Sequence, residues 1–316
     1  MASPESAPTP TSDVPLLPPR PETMHKGQAG RVAIIAGSRG LSGAAVLCGL
    51  GALRGGAGLV RVYTPASVHP IVAASEPSFM AFPLCETGAG DISVDQALEA
   101  IEPYEPDVLA IGPGLGQGPG QLAIVQRVCA LPLPLVLDAD ALNVLAASER
   151  ALRSGTKAAN FASPLAGRSH CTVITPHPGE MARLREAARM DPQSHQDHDT
   201  RLRVAHAYAR HAGVTVVLKG HRTVVATADQ AYVNTSGNAG MATGGMGDVL
   251  TGLIAALMGQ GMKPYDAARL GVYVHGLAAD QLANRVGPVG YLAREVAEAI
   301  PAGFVAASLP KVGFRA

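Results

Sequence analysis

The chain has 316 residues, 47% of them hydrophobic, with 25 Lys and Arg balanced by 25 Asp and Glu. That length holds one large α/β domain or two ordinary ones, and the balanced charge gives no electrostatic case for nucleic acid or an acidic membrane as partner. Cys48, Cys85, Cys129 and Cys171 form no CxxC pair, so they read as reduced thiols of a cytoplasmic protein, and no apolar run reaches the ~20 uninterrupted residues of a membrane helix. Residues 1–25 are rich in Pro, Ser and Thr, lack the apolar core of a signal peptide, and are expected to be a flexible tail. The folded domain is expected over 26–303, with a C-terminal tail over 304–316. RVAIIAG (Arg31–Gly37) is a buried strand signal, and Ala44–Gly56 a helix of small residues. Leu59–Tyr63, Ser78–Phe82, Asp107–Ile111 and Pro134–Asp138 read as strands, with helices over Val94–Glu102 and Leu122–Ala130. Ala151–His170 is polar and reads as an exposed insertion. A strand over Cys171–Thr175, a helix after PHPGE, a helix over Arg201–His211 and a strand over Val214–Leu218 follow. Thr223–Ala226 and Ala231–Asn234 form a hairpin, and helices close the chain over Val249–Met258, Pro264–Asn284 and Leu292–Ile300. This alternation predicts an α/β fold: a mainly parallel sheet with helices on both faces and ligands at the carboxyl ends of the strands.

The richest segment is NTSGNAGMATGGMGDVLTGLIAALMGQG, from Asn234 to Gly261. Its glycines place Gly244, Gly245, Met246 and Gly247 at a helix N-terminus, where free N–H groups and the macrodipole favour a phosphate. Asp248 then lies in the first turn, placed to take a proton from a hydroxyl that attacks that phosphate. The plainer alternative is a tight turn with Asp248 as a helix cap.

Five further motifs follow strands. GSRGLSGAA (Gly37–Ala45) matches neither GxGxxG nor a P-loop; it allows close ligand approach beside Ala44, or close helix–sheet packing. IGPGLGQGP (Ile111–Pro119) is a ligand-facing loop or a plain turn. In LDADALN, Asp138 and Asp140 straddle a strand end; they orient Mg²⁺ through water, or Asp140 caps the next helix, with Asn143 one turn on. In ITPHPGE, His177 is presented between two prolines and Glu180 lies in the first helical turn. In VVLKGHRTVVA, Lys219 can reach a nucleotide phosphate and Gly220 lets a ligand approach, the alternative being a hairpin with a snorkelling Lys. His195 and His198 in SHQDHD read as a solvated loop rather than a metal site.

Together HKGQAGRV, GSRGLSGAA, GAGLVRVYTP, IGPGLG, LDADALN, ITPHPGE, LKGHRTVVA and GNAGMATGGMGDVLTG resemble the ADP/ATP-dependent NAD(P)H-hydrate dehydratases of the ribokinase-like superfamily, over Lys26 to Ile300. The resemblance implies a lyase that repairs hydrated NADH and NADPH. The C6 hydroxyl is phosphorylated by ADP, or ATP, and phosphate is then eliminated, giving NAD(P)H, AMP and phosphate when ADP is used. It implies that Asp248 is catalytic and that Ala44, Gly114, Gly116, His177 and Asp248 contact the hydrated dinucleotide. Lys219, Gly220, His221, Arg222, Thr223 and Gly247 would contact the AMP part of the nucleotide, although His221 and Arg222 fill variable places in the motif. Mg²⁺, a homotetramer and a separate NAD(P)H-hydrate epimerase as functional partner are further implications, because residues 1–25 are too few for an epimerase domain. The alternative within the superfamily is a small-molecule kinase of the hydroxyethylthiazole or hydroxymethylpyrimidine type; a nucleotide sensor without activity is the other.

Overall fold

Among the described residues, runs of β-branched and aliphatic residues bounded by glycine and proline form nine strands, and alanine- and leucine-rich segments form the helices between them. The computed structural model describes residues 7–87, 92–154, 165, 171–191 and 197–308. The strands are β1 (Arg31–Ile35), β2 (Leu59–Pro65), β3 (Met80–Leu84), β4 (Val108–Ile111), β5 (Leu135–Leu137), β6 (Thr172–Ile174), β7 (Thr215–Leu218), β8 (Val224–Ala226) and β9 (Ala231–Val233). The helices are α1 (Ser42–Arg54), α2 (His69–Ser75), α3 (Val94–Ile101), α4 (Pro119–Ala130), α5 (Asp140–Ser154), α6 (Pro178–Ala187), α7 (His198–Ala212), α8 (Met246–Gly259), α9 (Pro264–Arg285) and α10 (Ala293–Ser308).

All nine strands belong to one sheet in the order β3-β2-β1-β4-β5-β6-β7-β8-β9. Neighbours from β3 through β7 are parallel; β8 and β9 are antiparallel additions at one edge. Side chains alternate across each strand, so Val32 and Ile34 join one core while Ala33 and Ile35 join the other. The first core packs against α1, α8, α9 and α10, the second against α3 to α7. The expected α/β architecture, mainly parallel with both faces covered, is the one observed.

The chain direction reverses between β1 and β4, where strands leave to opposite sides. The loops after these two strands are joined there, Gly37 N–H donating to Pro113 O at 2.9 Å. Such a switch point opens a crevice at the carboxyl edge of a parallel sheet.

Three features of the described residues lie outside the sequence expectations. Residues 11–20 were expected in a flexible tail but are seated against the domain. Thr11 bridges to Tyr232, Arg269 donates to Asp13 O at 2.8 Å, Arg20 bonds Gly56 O and Gln260 Oε1, and Val14 and Leu17 pack on the core. Helix α10 runs on to Ser308, through Pro301, so residues 304–308 are helical rather than tail. Helix α2 had not been expected; it is short, its first turn holds Pro70, and no side chain caps it. Most of the expected insertion at 151–170 lies outside the described residues, as does His195. His198 begins α7, whose N-terminus is capped by Asp197 accepting from Thr200 N–H at 2.8 Å.

Candidate active site

GSRGLSGAA, IGPGLGQGP, LDADALN, ITPHPGE and LKGHRT follow the carboxyl ends of β1, β4, β5, β6 and β7, and α8 brings the phosphate turn to the same place. Gly245 is the N-cap of α8 with φ +90°, a conformation that favours glycine, and a Cβ there would lie 2.5 Å from Leu47. Gly244 beside it has no neighbour within 4 Å of a built Cβ. Open N–H groups at the start of a 14-residue helix make this turn suited to an anion. Asp248 is in the first turn. Burial, reinforced by the charge of Asp138 and opposed by Lys219, pushes its carboxyl up to about 7.

At the centre is a buried ion pair. Lys219 Nζ donates to Asp138 Oδ1 at 2.6 Å, and Thr251 Oγ1 donates to Asp138 Oδ2 at 2.7 Å. Glu180 Oε2 lies 3.9 Å from the ammonium. Burial works against the charge on Lys219, but the two carboxylates raise its pKa on balance. Lys219, expected to reach a nucleotide phosphate, is thus held first by Asp138. Gly247 lies alongside, since a Cβ there would be 3.2 Å from Lys219 Nζ and 3.7 Å from Asp138 Oδ2.

Asp140 has another partner. Ala139 between the two aspartates is left-handed, φ +50°. Asp140 accepts from Gly116 N–H at 2.9 Å and from Gln117 Nε2 at 2.8 Å, so it anchors the glycine loop rather than capping α5. Asn143 Oδ1 accepts from Arg183 Nε at 3.0 Å. Both oxygens of Asp138 and of Asp140 are engaged, and the described residues hold no cluster of three metal-ligating side chains. The donor set fits Mg²⁺ carried by nucleotide phosphates and completed by water.

His177 is the N-cap of α6. Its Nδ1 accepts from Gly179 N–H at 3.0 Å and Glu180 N–H at 3.4 Å, while Glu180 Oε2 accepts from His177 N–H at 2.7 Å. An accepting Nδ1 requires the proton on Nε2. Burial, Lys219 and Arg183 all lower the His177 pKa, which favours this neutral form.

A cavity of about 760 Å³ opens beside these groups. His177 and Lys219 to Thr223 line one side, with Met246, Gly247 and Leu250 of α8. Asn238, Val272 and His275 line another. The volume suits a nucleotide-sized ligand. Ala44, Gly114 and Gly116 lie apart from this lining but together. A Cβ at Gly114 would meet Ala44 Cβ at 2.8 Å, and Gly116 hangs from Asp140. Asp248 follows Gly247, which lines the cavity, and its ionisation responds to Asp138, Lys219 and Asp140. His177, expected with the dinucleotide contacts, is on the cavity side.

Sequence reasoning assigned no site role to Thr251 or Arg201. Thr251 had no signal beyond a polar residue in an apolar helix. Arg201 lies in α7 yet bonds the carbonyls of Leu218, Lys219 and His221.

A family model described as NAD(P)H-hydrate dehydratase matches residues 32–302. The chain is 43% identical over 290 residues to the bifunctional NAD(P)H-hydrate repair enzyme of Moorella thermoacetica, covering 90% of this chain and 51% of that one. It thus spans about half the length of several curated relatives it matches. It is 36% identical over 286 residues to the ADP-dependent (S)-NAD(P)H-hydrate dehydratase of Neisseria meningitidis, covering 89% of this chain and 86% of that one. Among solved structures, the ADP/ATP-dependent NAD(P)H-hydrate dehydratase of Bacillus subtilis, co-crystallised with ATP and Mg²⁺, superposes with a TM-score of 0.73 at 28% identity, covering 94% of this chain and 99% of that one. A ribokinase-like superfamily protein of Enterococcus faecalis superposes with a TM-score of 0.74 at 28% identity, covering 93% of each chain. The fold is therefore ribokinase-like, and the chain belongs to the NAD(P)H-hydrate dehydratase family.

Proposed function

We propose that this protein is an ADP-dependent (S)-NAD(P)H-hydrate dehydratase, a lyase that restores hydrated NADH and NADPH. The observation that carries the proposal is Asp248, a carboxylate with its pKa pushed up to about 7, one residue after a phosphate turn and beside the Lys219–Asp138 pair. A hydroxyl needs a base near its working pH at the moment it attacks phosphorus. Asp248 takes the C6 hydroxyl proton as the oxygen bonds to the terminal phosphorus of ADP and AMP leaves. The N–H groups of Gly244 to Gly247 carry the negative charge spread over the phosphoryl oxygens. Loss of phosphate from C6 and of a proton from C5 then restores the 5,6 double bond.

The hydrated dinucleotide lies along Ala44, Gly114, Gly116 and Asp248, with His177, whose Nε2 is 3.4 Å from Glu180 Oε1, as a further contact. Lys219, Gly220, His221, Arg222, Thr223 and Gly247 hold the AMP part. Mg²⁺ bound with the nucleotide would neutralise charge on its phosphates. The four free cysteines support a reducing, cytoplasmic location. The family resemblance supports a homotetramer working with an epimerase that supplies the S form.

Incubation with hydrated NADH and ADP tests the reading. A rising dihydronicotinamide absorbance, matched by released phosphate and stopping at the S fraction until epimerase is added, is expected. A stable phosphate ester without that absorbance would instead indicate a small-molecule kinase.

A further inference from the structure

The LKGHRT turn rests on a buried cation that the proposed function does not use. Arg201, on α7, is 7% exposed. Its Nη2 donates to Leu218 O and Lys219 O, both at 3.1 Å, and its Nη1 donates to His221 O. Thr223 Oγ1 donates to the remaining carbonyl, Gly220 O, at 2.9 Å. All four carbonyls from Leu218 to His221 are therefore taken up by side chains. No carboxylate among the described residues offsets the guanidinium, and burial alone lowers its pKa. Lys219 differs, because Asp138 and Glu180 already answer its charge.

The peptide bonds here are trans, so the N–H of each unit points opposite to its C=O. With the carbonyls of Lys219 and His221 drawn toward Arg201, the N–H groups of Gly220 and Arg222 face away from it. Gly220 and Arg222 line the cavity. Gly220 has φ +138°, and a Cβ there would lie 2.9 Å from Arg201 Nη2, so the guanidinium sits directly under the turn. Arg222 is itself left-handed at φ +53°. Two alternate N–H groups facing away from a buried positive charge, on residues that line the cavity, give the turn the character of an anion-binding concavity.

We infer that Arg201 is a positioning residue for the nucleotide: it shapes the Lys219–Thr223 turn into a backbone nest for an anionic nucleoside diphosphate and supplies the charge behind it. This rests on the reading of that turn as the nucleotide contact. It assigns the specific recognition of the anion to main-chain N–H groups, and it explains why the lysine can remain paired with Asp138.

The test compares wild type with Arg201→Met, which removes the charge, and Arg201→Lys, which keeps it but loses the planar fork. ADP binding is measured by calorimetry at low and moderate salt, and steady-state constants are measured for both substrates. Arg201→Met should weaken ADP binding about ten-fold or more, the scale of losing hydrogen bonds from a charged donor, and flatten its salt dependence. Arg201→Lys should fall between the two and keep the salt dependence. KM for the nucleotide should rise while KM for the hydrated coenzyme stays level; a purely structural role would disturb both or neither. Folded variants that bind ADP like wild type would overturn the inference. Should Arg201→Met not fold, Arg201→Lys with unchanged ADP affinity would overturn it equally. Wild type that binds ADP yet turns over no hydrated coenzyme would defeat the proposed function and leave this inference standing.

Discussion

Asp248 is a carboxylate that the fold makes harder to ionise, and two measurable consequences follow. Protonated Asp248 cannot accept the hydroxyl proton, so kcat/KM should rise with pH through a limb near 7 and level off above it. Asp248→Asn should remove that limb and lower turnover by roughly 10²-fold or more with ADP affinity retained, as seen by calorimetry beside steady-state rates. The second consequence is for stability. The folded pKa lies above the unfolded one, so the folded state holds the proton more tightly between about 4 and about 7, and stability falls as pH rises through that window. Asp248→Asn should therefore melt higher than wild type at pH 8, with the difference shrinking toward pH 4. Asp138 contributes through its bonds. It is 1% exposed and both its oxygens are bonded, so Asp138→Ala leaves the Lys219 ammonium without its nearest partner. A loss of about 3 kcal/mol in a urea titration is expected.

Among the elements, α1 and α8 set the position of the catalytic turn. Both are built of small residues because their backbones touch: a Cβ at Gly51 would lie 2.2 Å from Val249 O, and one at Gly252 would lie 2.0 Å from Cys48 O. Gly252→Ala should push the helices apart at a cost of about 1–3 kcal/mol and lower turnover as well, because Asp248 is one turn away. Denaturant midpoints and kcat measured on the same preparation check both parts. The sequence marked α1 as a helix of small residues; its backbone contact with α8 is a finding of the structure. The strands β1, β4, β5 and β7 were legible because each is a short apolar run ended by glycine, aspartate or lysine. Helix α2 was not, since seven residues with no capping side chain leave little local signal. His177 was legible as a presented side chain, but its capping role needed the folded positions of Gly179 and Glu180.

At the level of the whole molecule, the described part of the N-terminal segment lies against β9, α9 and the turn after α8. Arg269 of α9 reaches Asp13 O, Arg20 reaches Gln260 after α8, and Thr11 extends the β9 edge. Deleting residues 1–20 should lower the melting temperature by a few degrees, roughly the effect of 1 kcal/mol in a chain of this size, while leaving ADP affinity unchanged. Its Pro- and Ser-rich composition masked this seat; the apolar Val14, Leu16 and Leu17 were the available signal. The site showed the same division. Motifs adjacent in sequence could be read in place, whereas Lys219 and Asp138 are 81 residues apart and carry no local mark of pairing. Arg201 resembled an ordinary polar residue of a helix until its three carbonyl partners were known. The most direct measurement is the stoichiometry of a single reaction: hydrated NADH and ADP supplied together, with AMP, phosphate and restored NADH all quantified. The account predicts one of each per ADP consumed, and almost none with Asp248→Asn. A phosphorylated product that persists, or NADH restored without AMP, would contradict it.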